Sequence, residues 1–218
     1  MHPGKPATGG KLSGAAMRYM HDWANPPCYP RGLPVQAPRR DAWVMQTLIR
    51  DSRDDDVPAI TAIYAHAVRH GDASFELEPP GAHDMMHRRQ AVRSAGYPYI
   101  VAEYDGAVVG YAYASAYRPR PAYRFTVENS VYVAPEQQRR RVGHALLQAL
   151  IARCEAAGFR LMVAVIGDSA NHASIGLHAA HGFTHAGLLP AIGWKHGRWI
   201  DSVLMCRPLG DGADTPPP

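Results

Sequence analysis

The run FRLMVAVIG, residues 159–167, is apolar almost without interruption after Arg160. A strand with no polar alternation has no face to give to water, so it must be covered on both sides. The stretches flanking it have helical length and spacing: one from about Gln138 to Ala157, closed by Gly158, and one from about Asn171 to His181. A two-sided strand between helices requires a sheet with helical layers on both faces.

The remaining elements build that sheet. VMQTLIRDS reads as a first strand, and Asp54 or Asp55 is placed to cap the helix DVPAITAIYAHAVRH, with Pro58 in its first turn. After the loop GDASFELEPPG, a polar helix AHDMMHRRQAVRSA stops at Gly96. YPYIVAEY and AVVGYAYASAY flank Asp105-Gly106, a dipeptide that favours the primed hairpin turn. YRFTVENSVYVAP forms the next strand, and two closing strands are expected around Phe183–Leu188 and Trp199–Arg207. The order β, α, α, β, β, β, α, β, α, β, β describes an α+β or α/β domain with a mixed sheet.

Charge locates the folded part. The 218 residues carry a formal charge of +4, but up to Val44 there are six basic residues against two acidic ones, and from Met45 onward 17 against 17. A general nucleic-acid surface is therefore not expected. Residues 1–44, rich in Pro and Gly, are expected to be a disordered extension, residues 45–209 one domain, and residues 210–218 a frayed tail. No apolar run approaches the ~18 residues that cross a bilayer, so no membrane partner is expected. Cys28, Cys154 and Cys206 are scattered, without a CxxC pair, which fits a reducing, cytoplasmic setting.

QRRRVG crowds three arginines where a helix begins. That end is already electropositive and favours an anionic neighbour, so either the arginines are solvated or an anion belongs there. In FTVENSVYV a period of two puts Val127, Asn129, Val131 and Val133 on one face and Thr126, Glu128, Ser130 and Tyr132 on the other. A glutamate among such neighbours is costly unless it meets water or a cleft. Asn171 is placed to cap its helix, to touch a ligand, or both. His178, His181 and His185 lack an acidic or cysteine ligand at a recurrent spacing, so no metal is expected.

YRFTVENSVYV, QRRRVG entering a helix, and AVIGDSANHASIGLHAAHGF, in that order, resemble the GNAT superfamily of N-acetyltransferases, and within it the phosphinothricin and methionine sulfoximine or sulfone acetyltransferases. The resemblance covers roughly Met45 to Leu209 and implies acetyl-CoA as cosubstrate. The family pattern Q/R-x-x-G-x-G/A falls on Gln138, Arg139, Arg140, Arg141, Val142 and Gly143, with Arg141 in place of the first glycine; one register later it reads from Arg140 through His144 to Ala145. These residues are implied to hold the pyrophosphate, with Val131, Tyr132 and Val133 aligning pantetheine and Asn171 and Ser174 near the thiol end.

The resemblance further implies Glu128 as general base, needed because an ammonium has no lone pair for attack on a thioester. His178 is implied to protonate the departing thiolate or to share the base role. Phe75, Arg118, Arg120, Tyr123, Val165 and Gly167 match regions lining the amino-acid pocket, where arginine forks suit a carboxylate plus a sulfone or phosphinate. The expected reaction is direct acetyl transfer to the α-amine of a small amino acid or analogue, by a protein implied to be a homodimer. A polyamine, aminoglycoside or protein N-terminus as acceptor stays open, as does a non-catalytic CoA-binding regulatory module.

Overall fold

The computed structural model describes residues 47–217; the extension expected at 1–44 lies outside the described residues. Seven strands form one sheet in the order β1-β2-β3-β4-β5-β7-β6: β1 (Thr47–Asp51), β2 (Tyr99–Tyr104), β3 (Ala107–Ala116), β4 (Thr126–Val133), β5 (Leu161–Gly167), β6 (Thr184–Lys195) and β7 (Arg198–Pro208). Only β4 and β5 run parallel; the other neighbours are antiparallel. The helices are α1 (Val57–His70), α2 (Ala82–Ser94), α3 (Val142–Ala156) and α4 (His172–Ala180).

Alternation along the strands separates two cores. On β2, Ile100 and Ala102 pack with the α3 residues Leu146, Leu147, Leu150 and Cys154, which recur at helical spacing. Tyr99 and Val101 face the other way, against Ile60, Tyr64 and Val68 of α1 and Met85 of α2. The sheet is thus covered by α3 and α4 on one face and by α1 and α2 on the other, but β5 is fully buried on one face only: Met162, Ala164 and Ile166 join the α3 core, whereas Val165 on its other face is 36% exposed and borders the cleft, so its unbroken apolar run is explained in part by that opening.

Turn chemistry explains the hairpins. Asp105 and Gly106 both have positive φ, 51° and 73°, the signature of the primed turn between β2 and β3. His196 and Gly197, at 52° and 74°, do the same between β6 and β7.

Several boundaries differ from expectation. The long helix starts at Val142 rather than Gln138, because residues 135–137 form a short 3-10 turn and Arg139 and Arg141 sit at φ 61° and 62°. β6 runs on to Lys195 instead of ending at Leu188: as an edge strand it carries Pro190 in a bulge between Leu189 and Gly193. Neither Asp54 nor Asp55 caps α1, whose N-cap position is Asp56. Asp54 instead pairs with Arg89 at 2.6 Å, and the Asp56 carboxylate accepts from Arg50 and from the Arg53 amide. Residues 210–213 form a turn, and Asp211 meets Arg160 at 3.2 Å.

Candidate acetyl-transfer site

β4 and β5 are paired only from Thr126↔Leu161 to Asn129↔Ala164. Beyond that point they diverge, leaving the β5-facing edge of Ser130–Val133 without a strand partner. A cleft of about 700 Å³ opens where they part. An extended chain entering it can pair with the free β4 edge as an added strand.

One end of the cleft is an anion cradle. Gln138, Arg139, Arg141, Val142, Gly143 and His144 line it. Arg141 is the N-cap of α3 and offers no side-chain acceptor, so the first-turn amides of the helix are left for a ligand. The left-handed Arg139 and Arg141 bend the chain around that point. Among the described residues Glu128 is the only carboxylate lining the cleft, against Arg139, Arg141 and two histidines. Pyrophosphate chemistry fits this donor set. Of the residues expected here, Arg140 and Ala145 lie outside the lining: Arg140 donates to Gln137 Oε1 at 3.2 Å, and the Ala145 amide closes the first helical bond onto Arg141 O at 3.0 Å. Gln137 joins the wall instead.

Glu128 projects from the middle of β4 into the cleft, on the α1/α2 face. Burial raises its carboxyl pKa, partly offset by the nearby Arg118 guanidinium. A base shifted toward neutrality is better matched to an amine proton than an exposed glutamate. Tyr113, opposite Ser130 on β3, and Tyr132 share this wall. Cys154 offers no competing nucleophile, since burial pushes its thiol up to about 12.

His178 lines the same cleft from the other face of β4, 5% exposed. Its Nδ1–H donates to Ser174 O at 2.8 Å, and Nε2 stands 3.0 Å from Asn129 Oδ1, whose amide Nδ2 donates to Val163 O at 3.1 Å. Burial is the main cause of its lowered pKa, opposed by the Ser174 carbonyl, while both ring nitrogens face acceptor oxygens, Ser174 O and Asn129 Oδ1. Asn129 was not anticipated in this role; the signal was a lone amide in an otherwise apolar face, Val127–Asn129–Val131–Val133. Glu128 and His178 therefore address one cavity from opposite faces of a single strand.

Asn171 acts as the cap: its Oδ1 accepts from the Ser174 amide at 3.1 Å, while both residues line the cleft. Phe75, Val165 and Gly167 are in the wall, but Arg118, Arg120 and Tyr123 lie on an exposed rim loop outside it. Arg118 stacks on Tyr117 at 5.1 Å and Tyr123 meets the same ring edge-on at 5.9 Å.

Residues 44–183 match the Acetyltransferase (GNAT) family. The chain is 59% identical over 169 residues, 78% of this chain and 86% of the relative, to a phosphinothricin N-acetyltransferase of Alcaligenes faecalis. It is 43% identical over 162 residues, 74% of this chain and 94% of the relative, to an L-methionine sulfoximine/L-methionine sulfone acetyltransferase of Pseudomonas paraeruginosa. Among solved structures, a GNAT superfamily phosphinothricin acetyltransferase from Sinorhizobium meliloti in complex with AcCoA superposes with a TM-score of 0.78 at 48% identity, covering 80% of this chain and 94% of that one. With the splayed strands, the anion cradle and the buried carboxylate in place, the chain belongs to the GNAT acetyltransferase family.

Proposed function

We propose that this acetyltransferase moves the acetyl group of acetyl-CoA onto the α-amine of a small amino acid or analogue carrying extra oxo groups, of the phosphinothricin, methionine sulfoximine or methionine sulfone type. The observation that carries the reading is the placement of Glu128, the one carboxylate of the cleft among the described residues, where β4 and β5 part. When bound, acetyl-CoA supplies the thioester carbonyl that the amine attacks. The helix α3 amides and Arg139 and Arg141 hold its phosphates, and the free edge of Ser130–Val133 aligns its pantetheine arm. Glu128 takes the proton from the incoming ammonium on the α1/α2 face. His178 meets the thiol end from the opposite face, and Asn129 Oδ1 stabilises a proton on Nε2. Arg118, near enough to shift Glu128, receives the acceptor's carboxylate, with Arg120 beside it on the rim.

We also propose a cytoplasmic homodimer. Leu188, Leu189, Ile192, Trp194 and Trp199 are all exposed along β6 and β7 at the sheet edge, Trp199 by 61%, and a second copy covering them would take this apolar cluster out of water. Cys154 and Cys206 are free thiols, as a reducing compartment keeps them. Among the described residues no helix is long and apolar enough to cross a membrane.

The test is thiol release from acetyl-CoA in the presence of methionine sulfone or phosphinothricin. Saturation in both substrates is the expected result. Saturable acetyl-CoA binding without thiol release on any amine would instead make the protein a binding module, and faster turnover with a polyamine or aminoglycoside would overturn the acceptor class.

A further inference from the structure

The loop between α1 and α2 passes over the mouth of the cleft and contributes Ala73 and Phe75 to its wall. It is held to the sheet by unusually close contacts. A Cβ on Gly167, at the end of β5, would stand 1.8 Å from Asp72 O, so only glycine lets the loop backbone lie there. A Cβ on Gly193 would stand 2.3 Å from both Cδ1 and Cε1 of Phe75 but 3.6 Å from its Cγ, so the ring presses its edge into the space that a side chain on β6 would fill. Two residues further along β6, Lys195 is 3% exposed, and its Nζ donates to Gly71 O at 2.8 Å and to Ser74 O at 2.6 Å. Across the hairpin, Arg198 bridges Asp72, at 2.6 Å, and Asp168.

An ammonium buried against two carbonyl oxygens, with no carboxylate in contact, is a poor source of stability, because desolvation offsets most of what the two hydrogen bonds return. What those bonds do is fix positions. They bracket residues 71–74 and leave Phe75 at the next position, aimed at the cleft from the same face as Glu128. The other end of the loop is tied to α1, where Tyr64 OH and Ser74 Oγ are 3.0 Å apart and Tyr64 OH donates to Glu76 Oε1 at 2.9 Å.

We infer that Lys195 is a positioning residue for the acceptor: it locks the 71–75 loop so that Phe75 forms a rigid wall on the Glu128 side, setting which amines fit while leaving the acetyl-CoA half of the cleft untouched. This rests on the proposed assignment of that side to the acceptor. Lys195 itself reaches no substrate, since the backbone of the loop stands between it and the cleft.

The experiment compares wild type with Lys195→Met, which keeps the apolar stem and removes the donors, Lys195→Arg, which keeps donors for both carbonyls, and Gly193→Ala, which displaces Phe75 from a different contact. KM is measured separately for methionine sulfone and acetyl-CoA, and amide hydrogen exchange is followed across residues 71–76. Lys195→Met and Gly193→Ala are expected to raise the acceptor KM by about tenfold or more, as a displaced positioning group does, with acetyl-CoA KM within about twofold. Lys195→Met also speeds exchange at 71–76 without changing β4 or α3, and Lys195→Arg recovers part of the acceptor KM. Equal changes in both KM values, or an unchanged acceptor KM despite faster loop exchange, would overturn the inference. If wild type acetylates only another class of amine, the acceptor reading fails while the same KM split, measured with that amine, still decides the role of Lys195. Should Lys195→Met fail to fold, Gly193→Ala and Lys195→Arg carry the comparison.

Discussion

Replacing Glu128 by glutamine separates the chemistry of the site from its stability, because the two are predicted to move in opposite directions. The amide keeps the shape of the side chain and removes the base. General-base assistance is worth about 10²–10⁴-fold, so kcat/KM at neutral pH should fall within that range. An α-amine with a pKa near 8 is only about one-tenth unprotonated at pH 7. The variant must wait for that fraction, so its deficit against wild type should shrink by about tenfold between pH 7 and pH 9. Stability follows from burial, which raises the Glu128 pKa above its unfolded value. Between those two values the folded state binds more protons than the unfolded one, so stability falls as pH rises through the window and the ionised carboxylate remains a burden at pH 7. Glutamine removes that burden: the variant should be more stable than wild type at pH 7, and the difference should vanish at pH values where both forms are protonated. Urea unfolding across pH 4–8, paired with thiol-release kinetics, reads both effects. Activity within threefold of wild type at pH 7, in a variant with raised stability, would refute the base assignment and leave Glu128 as a buried carboxylate with no part in proton transfer.

Other outcomes follow from the same geometry. Arg141→Gly relieves a left-handed side chain at φ 62° and should raise stability by about 0.5–1 kcal/mol after the entropy of the new glycine is subtracted; a lower Tm would show that the turn carries no strain. Gly167→Ala drives a methyl to 1.8 Å from Asp72 O, so the loop must move, with an expected loss of about 1–3 kcal/mol in chemical denaturation. For His178, burial holds the folded pKa below the unfolded 6.5, so the unfolded state binds more protons between the two values and stability is lost as pH falls below 6.5. His178→Gln should flatten that slope, and an unchanged slope would place the titration elsewhere.

The sequence exposed most of the fold because its strongest signals are local. Asp105-Gly106 dictates its turn, Gly96 and Gly158 take the positive φ that ends their helices, and FRLMVAVIG can only be an interior strand. The errors sit where tertiary context overrides local chemistry. β6 runs past its expected end at Leu188 because an edge strand can carry a bulge between Leu189 and Gly193, and the helix expected from Gln138 is held off to Val142 by the left-handed turn. At the site, Glu128 and the arginine run stood out as charges in apolar or dipolar settings. Asn129 and Lys195 did not, since their partners are backbone and side-chain groups 34 to 124 residues away: Val163 O, the His178 ring, Ser74 O and Gly71 O. No spacing rule within a strand reveals which distant carbonyl it will meet.

The same non-local pairing underlies the proposed use of one strand by two substrates. Adjacent residues of β4 point to opposite faces, so Glu128 and Asn129 cannot share a side of the sheet. In a continuous sheet they would be separated by a closed layer of backbone. Here the layer ends at Asn129↔Ala164, and the Asn129 amide, bonded to Val163 O on β5 and set against His178 on α4, braces the fork where the opening begins. The acyl donor and the amine can then approach from different ends and different faces, with Glu128 and His178 near the same gap but out of contact with each other's protons. With Glu128 in its proposed role as base, closing the fork by one more parallel pair would shut that carboxylate off from the thioester without altering any side chain in the cleft, so the proposed reaction depends on the arrest of pairing after Asn129 as much as on any one side chain.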